Sequence, residues 1–177
     1  MSLFSRLSHT RTYHYYDTET FCETYRGGLS HDGPSSAVLA RWQDAVINGE
    51  ALFLVYDDEM DWIMRRRDEL AEFDRRLSEA VGNNNDGIAL EKAGDIDGAV
   101  MKYEQNIMPG AYFTLHPYHR LCVIYRGRKD HDNEIRVIET CLSRPEWDKA
   151  QYAGSNERQF FEDRLEKTIQ IRNKQTK

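Results

Sequence analysis

The sequence predicts an all-α fold, and three observations carry that expectation. Apolar residues recur at steps of three, four and seven along most of the chain, the spacing of a buried helix face. A segment of about twenty residues returns 35 positions later with its apolar and turn residues in register. The one short apolar run that could be a strand, Ala51 to Tyr56, has no partner strand visible elsewhere, so it too is assigned to helix. The 177 residues fit one domain more easily than two. With 40% hydrophobic and 11% aromatic residues, the chain can bury one core and is not wholesale disordered. A charged fraction of 31% and a mean hydropathy of -0.76 describe a polar, soluble chain with a thin core.

Each element follows from its local chemistry. Residues 1–16 show no clean period, and Tyr13, His14, Tyr15 and Tyr16 read as a docking arm or an ordered lead-in. Asp17 or Thr18 caps a short helix over 17–26 with Phe21, Cys22 and Tyr25 on one side, and Gly27-Gly28 stops it. The stretch LSHDGPSS is a loop. Pro34 or Ser35 opens a second helix through about Asn48, carrying Val38, Leu39, Trp42, Val46 and Ile47. Asp57, Asp58 and Glu59 begin a long amphipathic helix, at the end where negative charge complements the helix dipole. Its apolar face is Trp62, Ile63, Leu70, Phe73, Leu77 and Val81, and Gly82 either breaks or kinks it. After Pro145, EWDKAQYAGSN is loop or a short turn. A last helix spans about 156–172 with Phe160, Phe161, Leu165, Ile169 and Ile171, and the polar tail 173–177 is expected to fray.

Charge and cysteines narrow the function classes. The net charge of -6 is uneven: residues 1–60 hold nine acidic and four basic residues, a net of -5, and residues 61–177 hold 21 and 20, a net of -1. The chain is therefore read as an acidic N-terminal helical region, 1–60, followed by a helical array, 61–177. Phosphate binding usually needs a basic surplus, and none exists globally. Cys22, Cys122 and Cys141 are an odd set without CxxC spacing, behind an N-terminus that lacks the apolar core of a signal peptide. Reduced thiols in a cytoplasm are expected. No apolar run of about 18 residues offers a membrane span.

The repeat is the most informative segment. GIALEKAGDIDGAVMKYEQNI (87–107) aligns with CVIYRGRKDHDNEIRVIETCL (122–142), pairing Leu90 with Tyr125, Asp95 with Asp130, Val100 with Ile135, Tyr103 with Ile138 and Ile107 with Leu142. Each copy reads as a helix, a tight polar turn and a second helix, the unit of a helical-hairpin array whose members bury their faces by stacking. Over about residues 83–145 the chain resembles the tetratricopeptide repeat (TPR) family. Gly87 and Ala89 match its small positions, Leu90 its large apolar one, Gly94-Asp95 its turn, Ala99 its small second-helix residue and Tyr103 its aromatic. Pro109 lies slightly off the closing proline. The second copy departs further: Lys129-Asp130 replaces Gly-Asp, and Glu134 stands where a small residue is usual. The resemblance implies protein binding in a groove lined by first-helix side chains, here Asn84, Ile88 and Glu91 from copy one and His119, Val123 and Arg126 from copy two. The groove could equally be filled by the chain's own N-terminal or C-terminal helices.

The remaining constellations give weaker readings. His116 and His119 have the spacing of two zinc ligands on one turn, but no carboxylate or thiolate is fixed beside them, so no metal is assigned. Asp57, Asp58, Glu59 and Asp61 lack the alternation and glycine of a calcium loop and are read as a helix start. No nucleophile elbow, phosphate loop, HExxH or dinucleotide fingerprint occurs, so no catalytic site and no cofactor are assigned. The expected function is a non-enzymatic interaction module binding a protein partner or a second copy of itself. One alternative is a phage or mobile-element inhibitor acting through the acidic face at Asp57, Asp58, Glu59 and Asp61. A less favoured one is a nucleic-acid binder using Arg65, Arg66, Arg67, Arg75, Arg76, Arg120, Arg126 and Arg128.

Overall fold

The computed structural model describes residues 11–25, 33–152 and 154–175. The chain divides into two compact units, Met1–Asp74 and Arg75–Lys177. The division falls within a helix, later than the change in charge near residue 60. Among the described residues there are seven α-helices and one two-stranded sheet, so the fold is mostly helical, consistent with the all-α expectation, with one small sheet added. No described helix is long and apolar enough to cross a membrane.

The first unit contains β1 (Tyr13–Asp17), α1 (Thr18–Tyr25), α2 (Ser36–Asn48), β2 (Leu52–Tyr56) and the first part of α3 (Asp57–Ala93). The assignment of Ala51 to Tyr56 to helix is corrected here: Leu52–Tyr56 is a strand, antiparallel to β1, with Tyr13 opposite Tyr56 and Tyr16 opposite Phe53. The partner was hard to see because four of the five β1 residues are exposed, so no polar–apolar alternation marks that strand. β2 does alternate, burying Phe53 and Val55. Phe21 centres the core, its ring 5.0 Å from Phe53 and 5.5 Å from Trp42. Cys22, expected on the inward side of α1, is exposed. Ser35 caps α2 by accepting from the Val38 N–H, and Gly49, at φ +71°, ends it in the left-handed region that glycine enters without steric cost. The proposed stop at Gly27-Gly28 lies outside the described residues.

The second unit holds the rest of α3, then α4 (Ile96–Gln105), α5 (Leu115–Gly127), α6 (His131–Leu142), 3-10 turns over Pro145–Asp148 and Ala150–Tyr152, and α7 (Glu157–Gln175). The α3–α4 and α5–α6 turns bond alike at a spacing of 35. The Asp95 N–H donates to the Leu90 carbonyl and the Asp130 N–H to the Tyr125 carbonyl, both at 2.9 Å. The Asp95 and Asp130 side chains then cap α4 and α6, accepting from the N–H groups of Gly98 and Asn133. Lys129, at φ +57°, adopts the left-handed turn that Gly94 supplies at +83°. The second copy thus keeps the turn without its glycine. The buried core includes Ala99, Tyr103, Tyr118, Leu121, Ile138 and Phe161. Cys122 and Cys141 are buried in it, and burial pushes the Cys122 thiol up to about 12.

Gly82 neither breaks nor ends α3, which runs on to Ala93. The two glycines 82 and 87 make a matched test. A Cβ at Gly82 would meet nothing within 4 Å, whereas one at Gly87 would lie 2.5 Å from the buried Tyr103 ring. Gly82→Ala is therefore expected to stabilise by up to about 1 kcal/mol through helix propensity. Gly87→Ala should destabilise by about 1–3 kcal/mol despite the same propensity gain. Urea denaturation of the two variants should show opposite shifts. Ala89, assigned beside Gly87 to a close helix approach, is instead exposed.

Candidate interaction surface

On α5, His116, His119, Arg120 and Val123 share one face by their spacing of three and four. That face is flanked by α3 on one side and α7 on the other. Arg120 donates from both Nε, at 2.9 Å, and Nη2 to the Glu91 carboxylate on α3. His116 stands edge-on to Tyr103 at 5.7 Å. On the other side, His119 Nε2 lies 2.9 Å from a Glu157 carboxylate oxygen on α7, and its ring lies 5.0 Å from that of Phe160. Between these contacts Val123 is 49% exposed, and Phe160 is 43% exposed. Ile88 on α3 is half-buried.

The six residues assigned to a groove therefore divide. Asn84 is used internally: its amide oxygen accepts from Asn106 Nδ2 at 2.9 Å, and its Nδ2 donates to Thr114 Oγ1 at 3.4 Å. Asn106 is itself buried and also donates to the Ala80 carbonyl at 2.8 Å. Arg126 donates to Glu134 at 2.6 Å and to Thr168 Oγ1 of α7 at 2.6 Å. Glu91 and His119 are paired as described. Val123 and, in part, Ile88 remain as apolar surface. The C-terminal helix thus takes up His119 and Arg126 and leaves the α5 face open between its flanks.

The Glu91 carboxyl is held below its ordinary value by its hydrogen bonds from Arg120, against the opposing effect of burial. A depressed carboxyl contributes stability that is present above about pH 4.5 and lost as pH falls through the folded value. Glu91→Gln is expected to flatten the fall in melting temperature between roughly pH 5 and pH 3. Parallel wild-type and variant curves over that range would show that the pair contributes nothing.

A buried ion-pair cluster in this unit was missed by sequence. Glu134 is fully buried on α6, where the TPR pattern has a small residue. Arg126 reaches it from α5, and Arg164 reaches it from α7 through Nε at 2.8 Å and Nη2 at 2.7 Å. Arg164 Nη2 also donates to the Cys122 carbonyl at 2.8 Å. One carboxylate therefore joins three helices. The buried His131 ring has its Nδ1 3.6 Å from Glu134, and neither ring nitrogen has a hydrogen-bond partner among the described residues. An acid at a packing position was the available signal.

The acidic cluster is largely engaged within the first unit. Asp57 accepts from Thr12 and lies 2.7 Å from His14 Nε2, and Arg11 pairs with Asp58. Glu59 caps α3 by accepting from the Tyr56 N–H at 2.9 Å, and it pairs with Arg41 at 2.5 Å. Asp61 is exposed. Of the arginines considered for nucleic acid, Arg66, Arg75, Arg120, Arg126 and Arg128 pair with carboxylates, and Arg76 donates to the Ala111 carbonyl. Among the described residues no group of three or more His, Cys, Asp or Glu is placed to hold a metal ion. No family model matches the chain, and neither the curated proteins nor the solved structures compared with it give a match.

Proposed function

We propose that the chain is a non-enzymatic protein-interaction module whose second unit is a TPR-like pair of helical hairpins closed by α7. The observation that carries this reading is the open α5 face. Val123 is half-exposed there between two flanks that are themselves held by charge-assisted bonds, Arg120 to Glu91 and His119 to Glu157. A rigid polar frame around an apolar strip suits a partner's helix or extended segment, which buries apolar side chains on the strip and bonds to the frame. The shared bonding of the two turns supports the repeat reading. The acidic-face alternative draws less support, because Asp57, Asp58 and Glu59 are already bonded within their own unit.

A photo-crosslinking residue at Val123, in the native host, is expected to capture one discrete protein. The same residue at Met101, an exposed position on α4, should not. Capture at 123 should disappear when Arg120→Glu and His119→Glu are added to the chain. Equal capture at both positions, or none at 123, sinks the reading.

A further inference from the structure

We propose that the outer edge of β1 is a docking site for an extended, basic segment of a partner protein, which adds to the sheet as a third strand. This surface belongs to the first unit and does not depend on the reading of the second.

The ladder fixes which backbone groups are free. The Asp57 N–H donates to the Thr12 carbonyl and the Thr18 N–H to the Ala51 carbonyl. With Tyr13 opposite Tyr56 and Asp17 opposite Leu52, the even-numbered residues of β1 bond to β2. The N–H and C=O of Tyr13 and Tyr15 therefore point away from β2, and no described group bonds to them. The opposite edge of the sheet is capped in part. Arg41 Nε donates to the Leu54 carbonyl at 2.8 Å, and Glu59 accepts from the Tyr56 N–H at 2.9 Å. Among the described residues, one edge thus has side-chain partners and the other has donors and acceptors that nothing bonds.

Proteins usually blunt such an edge with lysine, proline or a bulge, and YHYYD has none of these. It instead presents Tyr13, 53% exposed, and Tyr15, 66% exposed, with ring centroids 6.0 Å apart. Tyrosines on an open edge give an incoming strand cross-strand contacts at little entropic cost.

Charge selects the occupant. Residues 1–74 carry fourteen acidic and seven basic residues, a net of -7, against sixteen and seventeen in residues 75–177, a net of +1. Among the described residues, Arg11 and His14 next to the edge are engaged, with Asp58 and Asp57, while Glu19 and Glu23 of the adjoining α1 are exposed. A second copy would bring its own net of -7 to the same place. A strand carrying lysine or arginine is attracted by the field that repels the copy.

The test uses the full chain and synthetic eight-residue peptides of alternating lysine and valine. Binding is followed by the amide resonances of Tyr13 and Tyr15, whose exchange in the free protein should be fast. The Lys-Val peptide should shift those resonances, with affinity falling at least tenfold as salt is raised. A Glu-Val peptide, and a Lys-Val peptide N-methylated along one edge, should not bind. Tyr15→Pro removes an N–H that the β1–β2 ladder does not use. It should keep the melting temperature and weaken binding at least tenfold. The N-methylated peptide keeps the test decisive if that variant unfolds. Several results would overturn the assignment: equal binding of the lysine and glutamate peptides, an undiminished N-methylated peptide, or no shift at low salt. Slow exchange at Tyr15 in the free chain would do so by showing that the chain's own residues cover the edge. Concentration-dependent dimerisation abolished by Tyr15→Pro would assign it to a second copy.

Discussion

Glu134→Ala is expected to cost the second unit about 3–5 kcal/mol, read as a lower urea midpoint at unchanged slope. The size follows from what is left behind. Glu134 is fully buried, while the Arg126 and Arg164 side chains that bond to it are only 29% and 19% exposed. Removing the carboxylate strands two guanidiniums in a space shaped for an anion, and the acceptors they keep are Thr168 Oγ1 and the Cys122 carbonyl. Neither neutralises a charge. Glu134→Gln keeps the volume and one acceptor, so its loss should lie between wild type and alanine. Because Arg164 sits on α7 and Arg126 on α5, the alanine variant should also raise amide exchange along α7 ahead of α4. A loss under about 1 kcal/mol would place the network with ordinary surface ion pairs.

Much of the helical framework was legible because period and caps were both present. Ser35 and Gly49 bound α2 as their chemistry requires, and Asp95 and Asp130 cap equivalent helices. The strand pair was not legible, because β1 buries too little to show a period and its partner lies about forty residues away. The interaction surface was half legible. Spacing put His119, Val123 and Arg126 on one helix, but it could not say that α7 would claim two of them. Arg120, which builds the frame with Glu91, was seen only as a phosphate-binding candidate. Ion-pair partners such as Glu91 with Arg120 are 29 residues apart, a distance at which one sequence carries no pairing signal.

Ala99→Glu is expected to destabilise the second unit by more than about 4 kcal/mol, enough to abolish its cooperative melt. The substitution places in copy one the residue that copy two already carries. Ala99 and Glu134 occupy the same place 35 residues apart: each donates its N–H to the capping aspartate's carbonyl at 3.1 Å, and each is fully buried. A carboxylate is tolerated at 134 because Arg126 and Arg164 meet it. The position equivalent to Arg126 in copy one is Glu91, whose charge already takes up Arg120, so a new carboxylate at 99 would meet a second acid where its counterpart finds a cation of its own. It would also have to enter a core packed around Tyr103 and Tyr125, where added volume costs about 1–3 kcal/mol by itself. Ala99→Val, which adds volume without charge, should therefore cost much less. Circular dichroism melts of the two variants separate the effects. If Ala99→Glu melts within a few degrees of wild type, position 99 does not face the interior that the shared turn geometry gives it, and the equivalence of the two hairpins fails with it.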